Sequence, residues 1–123
     1  MAKWTLPVKV TVNTGAEVTN LHVQHRYDRD HYDDKEWTEA KDGDVLTGLS
    51  ATFWTGFIRT GVDYWWIKFT CEGKTYTCKD DFYCYLTADD GESGGPVMIT
   101  FSRGSMTVNP PKSSSCQVTV YET

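Results

Sequence analysis

Between Tyr64 and Cys71 the chain reads YWWIKFTC, and taking every second residue splits it into two faces. Trp65, Ile67, Phe69 and Cys71 fall on one, Tyr64, Trp66, Lys68 and Thr70 on the other. The same period of two sets Leu49, Ala51 and Phe53 against Ser50, Thr52 and Trp54. It sets Leu6, Val8, Val10 and Val12 against Pro7, Lys9 and Thr11, and Leu21, Val23, His25 and Tyr27 against Asn20, His22, Gln24 and Arg26. Shorter strand-like stretches follow at Thr75–Cys78, Phe82–Thr87, Val97–Phe101, Met106–Val108 and Cys116–Val120. Turn residues separate them, among them Asn13-Thr14-Gly15, Glu72-Gly73-Lys74, Gly104 and Asn109-Pro110-Pro111. Short strands at this spacing, with almost no helical periodicity, predict an all-β fold: a single-domain antiparallel β-sandwich of about eight or nine strands over residues 1–123. Its core is expected from Val8, Val10, Leu21, Val23, Leu49, Phe53, Trp65, Ile67, Phe69, Leu86, Val97, Ile99, Phe101, Val118 and Val120.

A chain of 123 residues, 39% hydrophobic and 14% aromatic, has room for one core. A mean hydropathy of -0.49 and the lack of a long apolar run exclude a transmembrane helix. The start, MAKWTLPVKV, carries no apolar signal-type region, so a cytoplasmic location is expected, any export being non-classical.

The net charge of -5 sits in one place. Asp28 to Asp44 holds eight acids against three bases, which accounts for the whole imbalance. No basic stripe remains, so nucleic acid is not an expected partner. Such a segment reads as an extended, mobile acidic loop that avoids anionic surfaces, with Asp33–Ala40 able to form a turn or two of helix. Asp28, Asp30, Asp34, Glu36 and Glu39 fall at calcium-loop spacing, but Tyr32 and Asp33 occupy the positions that need an oxygen ligand and a glycine. A solvated loop is the better reading; no metal and no cofactor are expected.

Cys71, Cys78, Cys84 and Cys116 form no C-x-x-C pair, which excludes a zinc ribbon or a thioredoxin-type site. The inward parity of Cys71, Cys84 and Cys116, with the lack of a signal-type region, predicts four free, reduced thiols. Were they oxidised, Cys84–Cys116 with Cys71–Cys78 is one of three connectivities. Gly91-Glu92-Ser93-Gly94-Gly95-Pro96 looks like the serine-protease nucleophile signature, yet no histidine has the matching context and the chain is too short for two barrels. It reads as a turn. His22 and His25 have opposite parity and cannot share a metal, and His25 reads as an inward, hydrogen-bonded residue. No catalytic residue emerges, and the protein is not expected to be an enzyme.

What remains is aromatic. Trp54, Tyr64 and Trp66 lie on polar faces, and Tyr83 and Tyr85 point outward from a later stretch. Large rings with one wet side suit recognition surfaces. The expected ligand-binding set is Trp54, Tyr64, Trp66, Asp63, Tyr83 and Tyr85, with Asp63, Asn20 or the acidic segment orienting sugar hydroxyls. The ligand would be a membrane lipid headgroup or a glycan. In the competing reading the same rings are buried in a homodimer or a heterodimer of close paralogues.

Trp54-Thr55-Gly56-Phe57, Thr60-Gly61-x-Asp63-Tyr64-Trp65, Tyr76-x-Cys78-Lys79 with Phe82-x-Cys84, Leu86-Thr87 and Ser113-Ser114-Ser115-Cys116 together resemble the PUD-type domain. This small family of fungal and nematode β-sandwich proteins was named for up-regulation in long-lived worms. The resemblance runs from about Val8 to Val120. It implies a sandwich similar in fold to the aegerolysins, dimerisation, and lipid or glycan recognition, and it supplies no catalytic residue.

Overall fold

A computed structural model of the protein describes residues 1–58 and 61–123; Arg59 and the Thr60 of the Thr60-Gly61 step lie outside the described residues. Two five-stranded sheets pack face to face. The first has the order β4-β1-β7-β8-β9, from β1 (Ala2–Val12), β4 (Val45–Thr55), β7 (Val97–Phe101), β8 (Ser105–Asn109) and β9 (Cys116–Thr119). The second has the order β10-β6-β5-β2-β3, from β2 (Val18–Asp28), β3 (His31–Ala40), β5 (Tyr64–Cys71), β6 (Lys74–Thr77) and β10 (Tyr121–Glu122). Ten strands thus occur among the described residues, and the sandwich is not purely antiparallel: β1 runs parallel to β7, pairing Val8 with Val97 and Val12 with Phe101. The inner faces follow the period of two. Every residue expected in the core is buried, joined by Leu6, Tyr27, Met106 and Val108.

The acidic segment is neither a mobile loop nor a helix. It is β3, paired antiparallel with β2 from Val18↔Ala40 to Asp28↔His31. Asp33, Lys35 and Trp37 are half-buried on one side, while Tyr32, Asp34 and Glu36 are exposed on the other. Charges on both faces hid the alternation. Pairing with β2 offsets the repulsion among the acids: His22 contacts Asp34, and His25 meets Asp33.

The one helix among the described residues, α1 (Ala88–Ser93), takes in the first half of the protease-like stretch, Gly91 to Ser93. Thr87 caps it in a reciprocal box with Asp90, and Gly94, at φ 80°, closes it in the left-handed region. Gly91 lies against the Trp4 ring, where a Cβ would clash. Ser93 donates to the Asp90 carbonyl and accepts from the Gly95 N–H. These residues end the helix and turn the chain.

The cysteines depart from expectation. Cys84 and Cys116 are joined in a disulfide with their Cα atoms 5.8 Å apart, whereas Cys71 and Cys78 are free and buried. The bridge pins the extended segment that follows Phe82 to the edge strand β9. A sequence does not reveal that proximity, because the two cysteines are 32 residues apart. Closing a loop of this length restricts the unfolded chain, so Cys116→Ser should lower unfolding stability by about 3 kcal/mol. Urea denaturation checks this. Thiol titration of denatured, unreduced protein should find two thiols, and four would contradict the bridge.

Candidate functional site

The outer face of the second sheet collects the polar-side residues of β2 and β5. The two strands pair antiparallel with Gln24 opposite Trp66 and Arg26 opposite Tyr64. Since side chains alternate, all four project outward together, while His25 and Trp65 between them point inward and are fully buried. They line an open concavity of about 400 Å³ that Asp80 completes. The Arg26 guanidinium lies over the Tyr64 ring at 4.3 Å and reaches the Asp80 carbonyl at 3.4 Å. The edge of His22 meets the Trp66 ring at a centroid distance of 5.0 Å.

A second concavity, about 610 Å³, opens on the other side of Trp66. Lys68, Thr77, Lys79 and Tyr121 line it, and it shares Trp66 and Asp80 with the first. Trp66 is therefore a half-buried ridge with hydrogen-bonding groups on both flanks. The row continues away from the sheet. Tyr83 bridges to Tyr64 in antiparallel register, and the Tyr83 and Tyr85 rings meet edge-on at 5.3 Å. Both are exposed.

Four of the six expected residues, Tyr64, Trp66, Tyr83 and Tyr85, thus share one surface. Trp54 stands apart, on the edge strand β4 of the first sheet and packed against the core. Its ring is packed by Tyr27 at 5.1 Å and His31 at 4.5 Å, and Lys3 lies over it at 5.8 Å. Asp63 does not face a ligand at all. It is fully buried, accepts from the Leu86 N–H at 2.7 Å and bonds His25 Nε2 at 2.7 Å. An Asp beside a glycine turn gives no sign of which way it faces. Asn20 sits at a bulge of β2 with φ 50°, away from Trp66 and near Trp37 and Glu36.

Sequence reasoning missed Gln24, Arg26 and Asp80. The outward parity of Gln24 and Arg26 was visible; the β2–β5 pairing that brings them to Trp66 was not.

Beneath this face lies a buried cluster. His25 bonds Asp63 through Nε2 and Asp33 through Nδ1 at 3.2 Å, and Asp33 accepts from the Thr52 N–H of β4 at 2.8 Å. Burial works against a charge on His25, but the two carboxylates outweigh it and raise its pKa above the ordinary 6.5. Cys71 and Cys78 are buried, and burial, with Asp80 nearby, pushes the Cys78 thiol up. Among the described residues no group of three or more His, Cys, Asp or Glu side chains could hold a metal, so the calcium-loop spacing assembles no such group there. No described helix is long and apolar enough to cross a membrane.

A family model described as "Up-Regulated in long-lived daf-2" matches residues 2–109. No curated protein matches the chain.

Proposed function

The chain belongs to the PUD family, up-regulated in long-lived daf-2, and on that premise we propose that it is a non-enzymatic recognition module that binds a glycan on the outer face of its second sheet. One observation carries this reading: Trp66 stands between two open concavities, with amide, guanidinium, carboxylate and ammonium groups around it. A pyranose presents an apolar face and an equatorial rim of hydroxyls. An indole ring takes the first, and Gln24, Arg26 and Asp80 suit the second. The support is for binding over catalysis, because Ser93 and the two free thiols are occupied or buried where they stand.

The test is a glycan array run with wild type beside Trp66→Ala. Loss of a stacking platform should weaken saccharide binding about 5- to 150-fold, since stacking on an aromatic ring contributes about 1–3 kcal/mol by analogy with base stacking. Far-UV circular dichroism should be unchanged. Binding that survives Trp66→Ala would remove the site from this face.

A separate observation favours a lipid surface. Phe57 and Ile58 are exposed to 104% and 66% after β4, with Met1, also exposed, close to Gly56. Apolar side chains at such a tip suit entry into a bilayer interface. Phe57→Ser should then abolish binding to zwitterionic vesicles while leaving any saccharide binding intact. If array and vesicles are both blank and light scattering gives a two-chain particle, the exposed aromatics belong to self-association.

A further inference from the structure

We infer that this face binds an unbranched, uncharged saccharide along its length, in a groove with two aromatic platforms, Trp66 and Tyr121. This rests on the glycan reading and adds the shape and charge class of the ligand. A third concavity, about 360 Å³, adjoins the one of 610 Å³: Lys79 and Tyr121 line both, and Phe82, Gln117, Val118 and Thr119 complete it. The first two already meet at Trp66 and Asp80. Each falls in the range of small-ligand sites, roughly 300–1,000 Å³. The three follow one another across the outer face of the second sheet to β9, at the edge of the first.

Strand register sets the line. Lys68 of β5 stands opposite Thr77 of β6, and Thr77 stands opposite Tyr121 of β10. Directly opposed residues share a face, and Trp66 lies two positions from Lys68, so Trp66 and Tyr121 project from the same side. Two residues along β5 and two strands across put their Cα atoms roughly 12 Å apart, at about 3.4 Å per residue and 4.8 Å per strand. That is farther than one pyranose ring spans. The two rings thus stack different units, and the Lys68 ammonium and Thr77 hydroxyl lie between them for the unit in the middle. Tyr121 is exposed and Trp66 half-buried, so both rings present surface. Tyr64 adds no third platform, because the Arg26 guanidinium lies over it.

Charge in the groove cancels. Lys68 and Lys79 are matched by Asp80 in the same lining and by Asp81, 3.8 Å from Lys79. Arg26 is engaged over Tyr64 and toward the Asp80 carbonyl. On a chain of net charge -5, no positive field is left to reward an acidic sugar.

The experiment is calorimetric titration with linear glucose, mannose, galactose and N-acetylglucosamine oligomers of one to five units. It is run at low and high salt on wild type, Tyr121→Ala and Tyr121→Phe. In wild type the bound series should tighten at least about fivefold between one unit and three, the smaller effect of one added stacked ring. Salt should change this little. Tyr121→Ala should lose the gain on lengthening while single-unit affinity holds, and Tyr121→Phe should keep the gain. Affinity that does not rise with length in wild type would overturn the groove and leave the glycan reading standing. So would a gain that survives Tyr121→Ala, or array hits confined to branched or charged glycans. Failure of every oligomer, with a blank array, would instead sink the glycan reading itself.

Discussion

Asp63→Ala is expected to lower unfolding stability by about 3–5 kcal/mol, the cost of stripping one partner from a buried ion pair. Against the few to fifteen kcal/mol of a typical domain, that leaves a protein close to unfolding. The reason is local. Removal takes away the closer of the two bonds to His25 and leaves the Leu86 N–H without its 2.7 Å acceptor. Urea denaturation measures the loss, with Tyr83→Ala, an exposed neighbour, as the control that should change little. The groove should fail with the fold, since Gln24 and Arg26 flank His25 on β2 and Tyr64 follows Asp63 directly.

The same cluster sets a pH dependence. The pKa of His25 is raised in the folded protein, so its contribution is fully present below about pH 6.5 and is lost as pH rises through the folded value. Stability should therefore decline as pH rises above 6.5 through that raised value. Imidazole nitrogen shifts followed by NMR give the direct reading; a His25 ring that titrates below 6.5 would contradict the account.

Asp90→Ala is expected to cost about 2–4 kcal/mol, because it takes the shared acceptor from several partly buried donors at once. The Asp90 carboxylate accepts from the Thr87 N–H at 2.8 Å and its hydroxyl at 3.0 Å, from the N–H groups of Lys112 at 2.7 Å and Ser113 at 2.9 Å, and from the Ser113 hydroxyl at 2.5 Å. It thereby ties the start of α1 to the serine-rich loop before β9. Burial alone would raise its pKa, but these bonds outweigh burial and lower it. Its contribution should hold above the ordinary carboxylate value of 3.8 and fade only as pH falls through the lower folded one. Thermal unfolding of wild type and Asp90→Ala at pH 7 and pH 3 tests both statements. The gap between them should be large at pH 7 and narrower in acid.

The inner faces were legible because apolar residues at every second position leave a strand one way to sit. The parity of Phe82, Cys84 and Leu86 against Tyr83 and Tyr85 held even though that segment forms a single bridge rather than a strand. β3 was not legible, since its inward positions are Asp33, Lys35 and Trp37, and Asp33 is tolerable there only because His25 stands opposite it on β2 and Thr52 meets it from the other sheet. Partners distant in sequence do not show in a local pattern. The same reason hid the disulfide and the true place of Asp63. The capping box of α1 was readable in Thr87-Ala88-Asp89-Asp90, but a six-residue helix gives no periodicity to draw attention to it.

The position of β1 has a consequence for how the chain reaches this state during synthesis. β1, made before the nine other described strands, is interior to its sheet, between β4 and the parallel β7, whose last residue is Phe101. On a ribosome adding about 5–20 residues per second, one side of β1 stays unpaired until most of the protein has emerged. Contacts this distant in sequence close slowly, and an open strand edge is sticky while it waits. Lys3, Pro7 and Lys9 along β1 are the residues that discourage a stranger from pairing there first.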